Sequence, residues 1–159
     1  MKNNFIKECV WIIVILIVSI LTGTVLMIAS YALPTEPMKM HAREKISMMA
    51  DEGDDYKWIL KDFTSMAANF TDSLMINTAV YDGKESLLEK ALLNPRTNYA
   101  EGTQTRKLIN ALQDVPGGDA FTYGRYWHGY LVILKPLLFI FNYYQIRWLN
   151  TIIGCSLIS

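Results

Sequence analysis

Residues 9 to 33, CVWIIVILIVSILTGTVLMIASYAL, run without one charged side chain. A helix that is apolar around its whole circumference belongs in lipid or deep in a large core. At about 1.5 Å of rise per residue, this run reaches past the roughly 30 Å of a bilayer's hydrocarbon layer. Pro34 and Pro37 follow and close it. A cleaved signal peptide is the competing reading, with Ser30, Tyr31 and Ala32 as the cleavage site. A signal core, however, is only about 7 to 15 residues long, and this run is longer. An uncleaved transmembrane helix is therefore expected. Lys2 and Lys7 precede it and favour a cytoplasmic N-terminus, which places the following residues outside.

Composition changes at Leu33. Every acidic residue except Glu8 lies between positions 34 and 127, a stretch that reads as water-soluble. Over the whole chain, 15 basic residues balance 15 acidic ones, which argues against a nucleic-acid partner. The outer stretch lacks strand-like alternation and instead shows short helical patterns. Met38, Ala42, Ile46 and Met49 form one apolar stripe over residues 37 to 50, suited either to the membrane surface or to a core. A second short amphipathic piece covers 54 to 63. A third helix covers 69 to 81, with Thr71 as its N-cap. Asp82 and Glu85 stand in capping-box spacing before LLEKALL, and Asn94-Pro95 ends that helix. TQTRKLINALQ makes a further helix, closed by the DVPGGD loop.

The last third is apolar but irregular. Tyr130 to Tyr144 is too short to span and carries Lys135 and Pro136 at its middle. Its aromatic residues suit a membrane interface. The residues from Trp148 to Ser159 are apolar yet too few to cross. The expected fold is thus an all-α membrane protein. It comprises a cytoplasmic N-terminus (1–8), a transmembrane helix (9–33) and an outer domain of short helices (34–127). An interfacial aromatic-basic segment (128–145) and the start of a second transmembrane helix (146–159) complete it. On this reading the chain is the N-terminal part of a larger polytopic protein.

Two motifs carry a family resemblance. TDSLMINTA (71–79) looks like an acidic helix in which Asp precedes apolar and small residues. WHGYLVILKPLLFIFNYYQIRWLNTIIG looks like an outer Lys-Pro segment followed by a helix opening on Arg and Asn. Together with the layout, they resemble the start of the GT-C membrane glycosyltransferases, which use polyprenyl-phosphate-linked sugars. Asp72 lies farther from the first helix than the family's acid often does, and Ser73 stands where many members carry a second acid.

The resemblance implies a division of labour. Asp72 would be the base that takes the acceptor's proton, with Asp51, Asp54 and Asp55 as rivals. Arg125, His128 and Lys135 would hold the donor's phosphate. Tyr126 and Trp127 would stack on a sugar ring. Each has a plainer reading: Asp72 as a first-turn carboxylate favoured by the helix dipole, the cations as groups snorkelling to lipid headgroups, the aromatics as interface anchors. A divalent cation, if used, would find oxygen ligands among Asp51, Glu52, Asp54, Asp55 and Asp72. The implied partners are membrane lipid and a polyprenyl-phosphate sugar donor. Alternative functions are a non-enzymatic, membrane-anchored protein whose outer helical domain binds a partner, or a fragment of a polytopic transporter. Asn69-Phe70-Thr71 fits an N-glycosylation acceptor, and Cys9 and Cys155 show no metal or disulfide spacing.

Overall fold

The uncharged run forms the larger part of α1, Lys2–Tyr31. In the computed structural model, which describes residues 2–54, 56–57, 66–122 and 128–158, its stretch Ile6–Tyr31 has a mean hydropathy of 2.9. That stretch is long and apolar enough to cross a membrane. Nearly all of its surface is exposed. Only the last turn enters the folded body, where Met27, Ser30 and Tyr31 are buried.

Pro34 and Pro37 do more than end α1. Pro34 is the N-cap of α2 (Thr35–Arg43), and Pro37 sits in its early turns, where the missing N–H has no helical acceptor to lose. The stripe expected as one helix is split by a turn at Glu44 and Lys45 into α2 and α3 (Ile46–Glu52). Met38, Ala42 and Met49 are at most 2% exposed, so this stripe is core and not a membrane-surface face.

The amphipathic piece expected over 54–63 lies largely outside the described residues. Tyr56 and Lys57 form β1 and pair antiparallel with β2 (Met66–Ala67). Then α4 runs Asn69–Ala79. Its N-cap is Ala68, so Thr71 is a first-turn residue and not the cap. The helix starts early because the Asn69 amide is drawn inward, donating to Glu52 Oε2 at 2.9 Å and to the Gly53 carbonyl at 2.8 Å.

The expected Asp82–Glu85 box also shifts. Glu85 instead accepts a hydrogen bond from the Tyr81 hydroxyl, and the capping box at α5 (Leu87–Leu93) is made by Ser86 and Glu89. Ser86→Ala is expected to cost about 1 kcal/mol, read as a lower thermal midpoint in detergent. Asn94 closes α5 in the left-handed region at φ 46°, ahead of Pro95.

A second ribbon, β3 (Pro95–Asn98) with β4 (Asp119–Thr122), was not legible as alternation. It is short, and β3 is fixed partly by a helix: Asn77 of α4 donates to the Thr97 carbonyl and accepts from the Thr97 N–H at 2.8 and 3.1 Å. Between the two strands lies α6 (Gln104–Leu112), capped by Thr103.

The segment expected as interfacial is helical in the main: α7 covers Leu131–Ile140, followed by a break and α8, Tyr143–Ile158. The last helix thus starts at Tyr143 and not near 146. Pro136 removes one backbone donor but does not end α7. This helix packs against α1, α2 and α4. Met38, Leu108, Leu112, Leu131 and Leu138 supply the fully buried centre, each contributing roughly 1.5–3 kcal/mol of apolar burial. Among the described residues, the chain is mostly helical and no sheet exceeds two strands.

Candidate functional site

Asp72 stands in the first turn of α4, where the helix dipole favours negative charge. Its carboxylate does not face bulk water. Tyr143, at the start of α8, donates its hydroxyl to Asp72 Oδ2. Arg147 lies one helical turn beyond Tyr143, on the same face of α8. Its guanidinium donates to Glu52 Oε2 at 2.9 Å and lies 5.5 Å from the Tyr143 ring centre. The same Glu52 oxygen accepts from Asn69. One cluster therefore joins α3, α4 and α8 through two carboxylates, one guanidinium, one phenol and one amide.

The electrostatics follow from burial. Desolvation pushes the Asp72 carboxyl above its ordinary value, against the opposing effects of the Tyr143 hydrogen bond and the Arg147 charge. The Tyr143 phenol is pushed well up, by its own burial first and then by the neighbouring Asp72. A carboxylate held partly from water, with its pKa raised by burial, is a better proton acceptor than an exposed one.

The cluster adjoins open space. A cavity of about 710 Å³ is lined by Lys45, Ser47, Met48, Asp51, Glu52 and Tyr144. A smaller one of about 130 Å³ shares Met48, Glu52 and Tyr144 and adds Arg147 and Trp148. The larger falls in the size range of small-molecule sites. Glu52 lines both cavities and Arg147 lines the smaller one, which ties the cluster to this open space.

The rivals to Asp72 separate clearly. Asp54 is an anchor for α6: its Oδ1 accepts from the Thr105 hydroxyl at 2.6 Å and from the Thr105 N–H at 3.2 Å, while Oδ2 accepts from the Gln104 N–H. Asp51 is exposed at the larger cavity. Asp55 lies outside the described residues. Among the described residues, no three His, Cys, Asp or Glu side chains converge as a metal-binding group.

Of the basic residues proposed for phosphate, Lys135 is engaged within the protein. Lys135 is fully buried, donating to the Ala79 carbonyl at 2.6 Å with its ammonium 4.6 Å from the Tyr31 ring centre. Ala79 ends α4 and Asp72 lies in its first turn, so the residue whose carbonyl holds Lys135 is about 10 Å from Asp72 along the helix axis. His128 is also buried, its Nδ1 3.2 Å from the Tyr130 hydroxyl. Arg125, Tyr126 and Trp127 lie outside the described residues. The Asn69 sequon is closed in the folded chain, because Asn69 is 0% exposed and its amide nitrogen is engaged.

Burial pushes the Lys135 ammonium down to about 8. Below that pH both folded and unfolded chains hold the proton, and the folded state bears the full burial cost. As pH rises from 8 toward the ordinary lysine value, the folded chain releases its proton first and gains stability. Thermal midpoints in detergent are expected to climb over that window, and Lys135→Met is expected to abolish the climb.

In the sequence, Tyr143 reads only as an interfacial aromatic, Glu52 only as one of the acids of 51–55, and Arg147 only as the opening of a membrane helix. The one available signal was the four-residue spacing of Tyr143 and Arg147, which puts a phenol and a cation on one helix face. Comparison with protein-family models, curated proteins and solved structures finds no match to this chain.

Proposed function

We propose that this chain is the N-terminal part of an integral membrane glycosyltransferase that moves a sugar from a polyprenyl-phosphate donor to an extracytoplasmic acceptor. The observation that carries this reading is the Asp72 carboxyl. It is held at a helix start by Tyr143, raised in pKa by burial, and joined through Arg147 and Glu52 to a ligand-sized cavity. Asp72 is the base for the acceptor hydroxyl, and Arg147 steadies charge beside it. The donor's phosphate falls to Arg125 and His128, with Tyr126 and Trp127 against the sugar. The test is transfer of labelled sugar from a polyprenyl-phosphate donor by the full-length protein in membranes. No transfer from any such donor overturns the reading.

The orientation belongs to the same proposal: N-terminus cytoplasmic, residues 34–127 outside, as Lys2 and Lys7 ahead of α1 favour. With Cys9 and Cys155 replaced, a Glu101→Cys variant is expected to react with an impermeant thiol reagent in intact cells. Reaction only after permeabilisation reverses the topology.

A second reading has its own observation. Lys135, a cation that donor binding would use, is sealed against Ala79 and Tyr31. That burial suits a non-enzymatic, membrane-anchored domain that binds a partner. Full-length protein that captures a partner with Asp72 replaced, and transfers no sugar, is the result that favours it.

A further inference from the structure

The helix α7 is built inside out. Its single charge, Lys135, faces the core with Leu131 and Leu138. Its outward side carries Ile133 and Ile140 at 66% and 62% exposure, two turns apart, with the half-buried Pro136 between them. A helix facing water would show the reverse arrangement. Nearby α5 repeats the anomaly. It buries Ala91 and leaves Leu87, Leu88, Leu92 and Leu93 exposed.

Both helices pack on α1, whose buried residues, among those described, are Met27, Ser30 and Tyr31 at its end. The Tyr31 hydroxyl donates to Asn94, the residue that closes α5. Lys135 of α7 lies over the Tyr31 ring. The two apolar faces are therefore fastened to the point where α1 ends. Depth follows from length. The 26 residues of Ile6–Tyr31 make about 39 Å of helix, roughly 9 Å more than the hydrocarbon layer. That excess matches the depth at which amphipathic helices lie in the boundary between headgroups and acyl chains.

We infer that α5 and α7 form a lipid-embedded foot around the end of α1, seating the outer domain directly on the bilayer through Leu88, Leu92, Ile133 and Ile140. The occupant of these faces is lipid, since they adjoin the end of a helix that is long, apolar and exposed along most of its length. This rests on α1 as a membrane span, and not on glycosyl transfer. A seated domain also fixes the height of the cavity between α3 and α8 above the membrane.

The test places single nitroxide labels on the full chain, with Cys9 and Cys155 replaced, in vesicles of phosphatidylcholine with some phosphatidylglycerol. Leu92→Cys and Ile133→Cys probe the foot, Ile15→Cys probes α1, and Arg106→Cys on α6 is the water-facing control. Loss of collisions with a water-soluble nickel reagent, with retained collisions with oxygen, is expected at 15, 92 and 133 but not at 106. Nickel collisions at 92 and 133 with protection at 15 overturn the foot while leaving the span intact. Loss of both nickel and oxygen collisions at 92 and 133 also overturns it, because it marks a covering protein surface in place of lipid. Nickel collisions at 15 overturn the span and the foot together. All four positions are exposed, so each label leaves the packing undisturbed.

Discussion

Asp72→Asn in the full-length protein is expected, on the proposed glycosyltransferase reading, to lower sugar transfer by about 10²–10⁴-fold, the usual contribution of a positioned general base. The substitution keeps the shape of the side chain and an oxygen that accepts from Tyr143, so the α4–α8 contact survives. The fold is not expected to suffer. Because burial raises the folded-state pKa of Asp72, the ionised carboxylate costs stability at neutral pH, a cost that vanishes once pH falls below the unfolded value. The Asn variant is therefore expected to melt no lower than the parent near pH 7, with the two converging in acid. Turnover that survives in Asp72→Asn removes Asp72 from the chemistry and moves suspicion to Asp51, the acid already exposed at the larger cavity.

Arg147→Ala is expected to be the most damaging change to the fold, by about 3 kcal/mol. That lies at the low end for severing a buried ion pair, because 17% and 13% of the Arg147 and Glu52 side chains remain exposed. The loss comes less from the bond than from what it leaves behind. Glu52 and Asp72 would lose the cation that offsets their mutual repulsion, with Asn69 still donating to the Glu52 oxygen. Three consequences separate this account from loss of packing. The defect should shrink at acid pH, where Asp72 takes up a proton. Adding Glu52→Gln to Arg147→Ala should recover much of the stability. Glu52→Gln alone should cost less than Arg147→Ala. Thermal unfolding in detergent, scored as a double-mutant cycle, measures all three.

The parts of this architecture that could be read in advance are those set by neighbours in the chain. An uncharged run long enough to cross a bilayer needs no tertiary information, and α1 follows from it. The Met38, Ala42 and Met49 spacing made one apolar face legible, although not that it is core, nor the turn at Glu44 and Lys45 that splits it. Capping was legible in kind but displaced in place. Asp82–Glu85 and Ser86–Glu89 share one spacing, and the choice between them falls to Tyr81, which engages Glu85. Thr71 lost its capping role to a contact from Asn69 to Glu52, 17 positions earlier, that no local pattern encodes.

The site divides in the same way. Asp72 was visible as an acid at a helix start. Its partners were not, because Tyr143 and Arg147 arrive from 71 and more residues away. Lys135 was visible as a charge misplaced in an apolar helix. Whether such a charge turns toward a ligand or into the protein depends on which carbonyl waits for it, and the end of α4 supplied one.

The last turn of α1 holds a further lesson. Met27 and Tyr31 belong to the same core as Met38, Leu131 and Leu138, and Tyr31 touches both Asn94 and Lys135. A secreted version starting at Pro34 would lack a wall of its own interior and would strand a buried ammonium without its aromatic cover. The body beyond Leu33 is thus not cargo hung from a helix. The last turn of α1 completes its interior, so a chain without that turn would be left with an unfinished core.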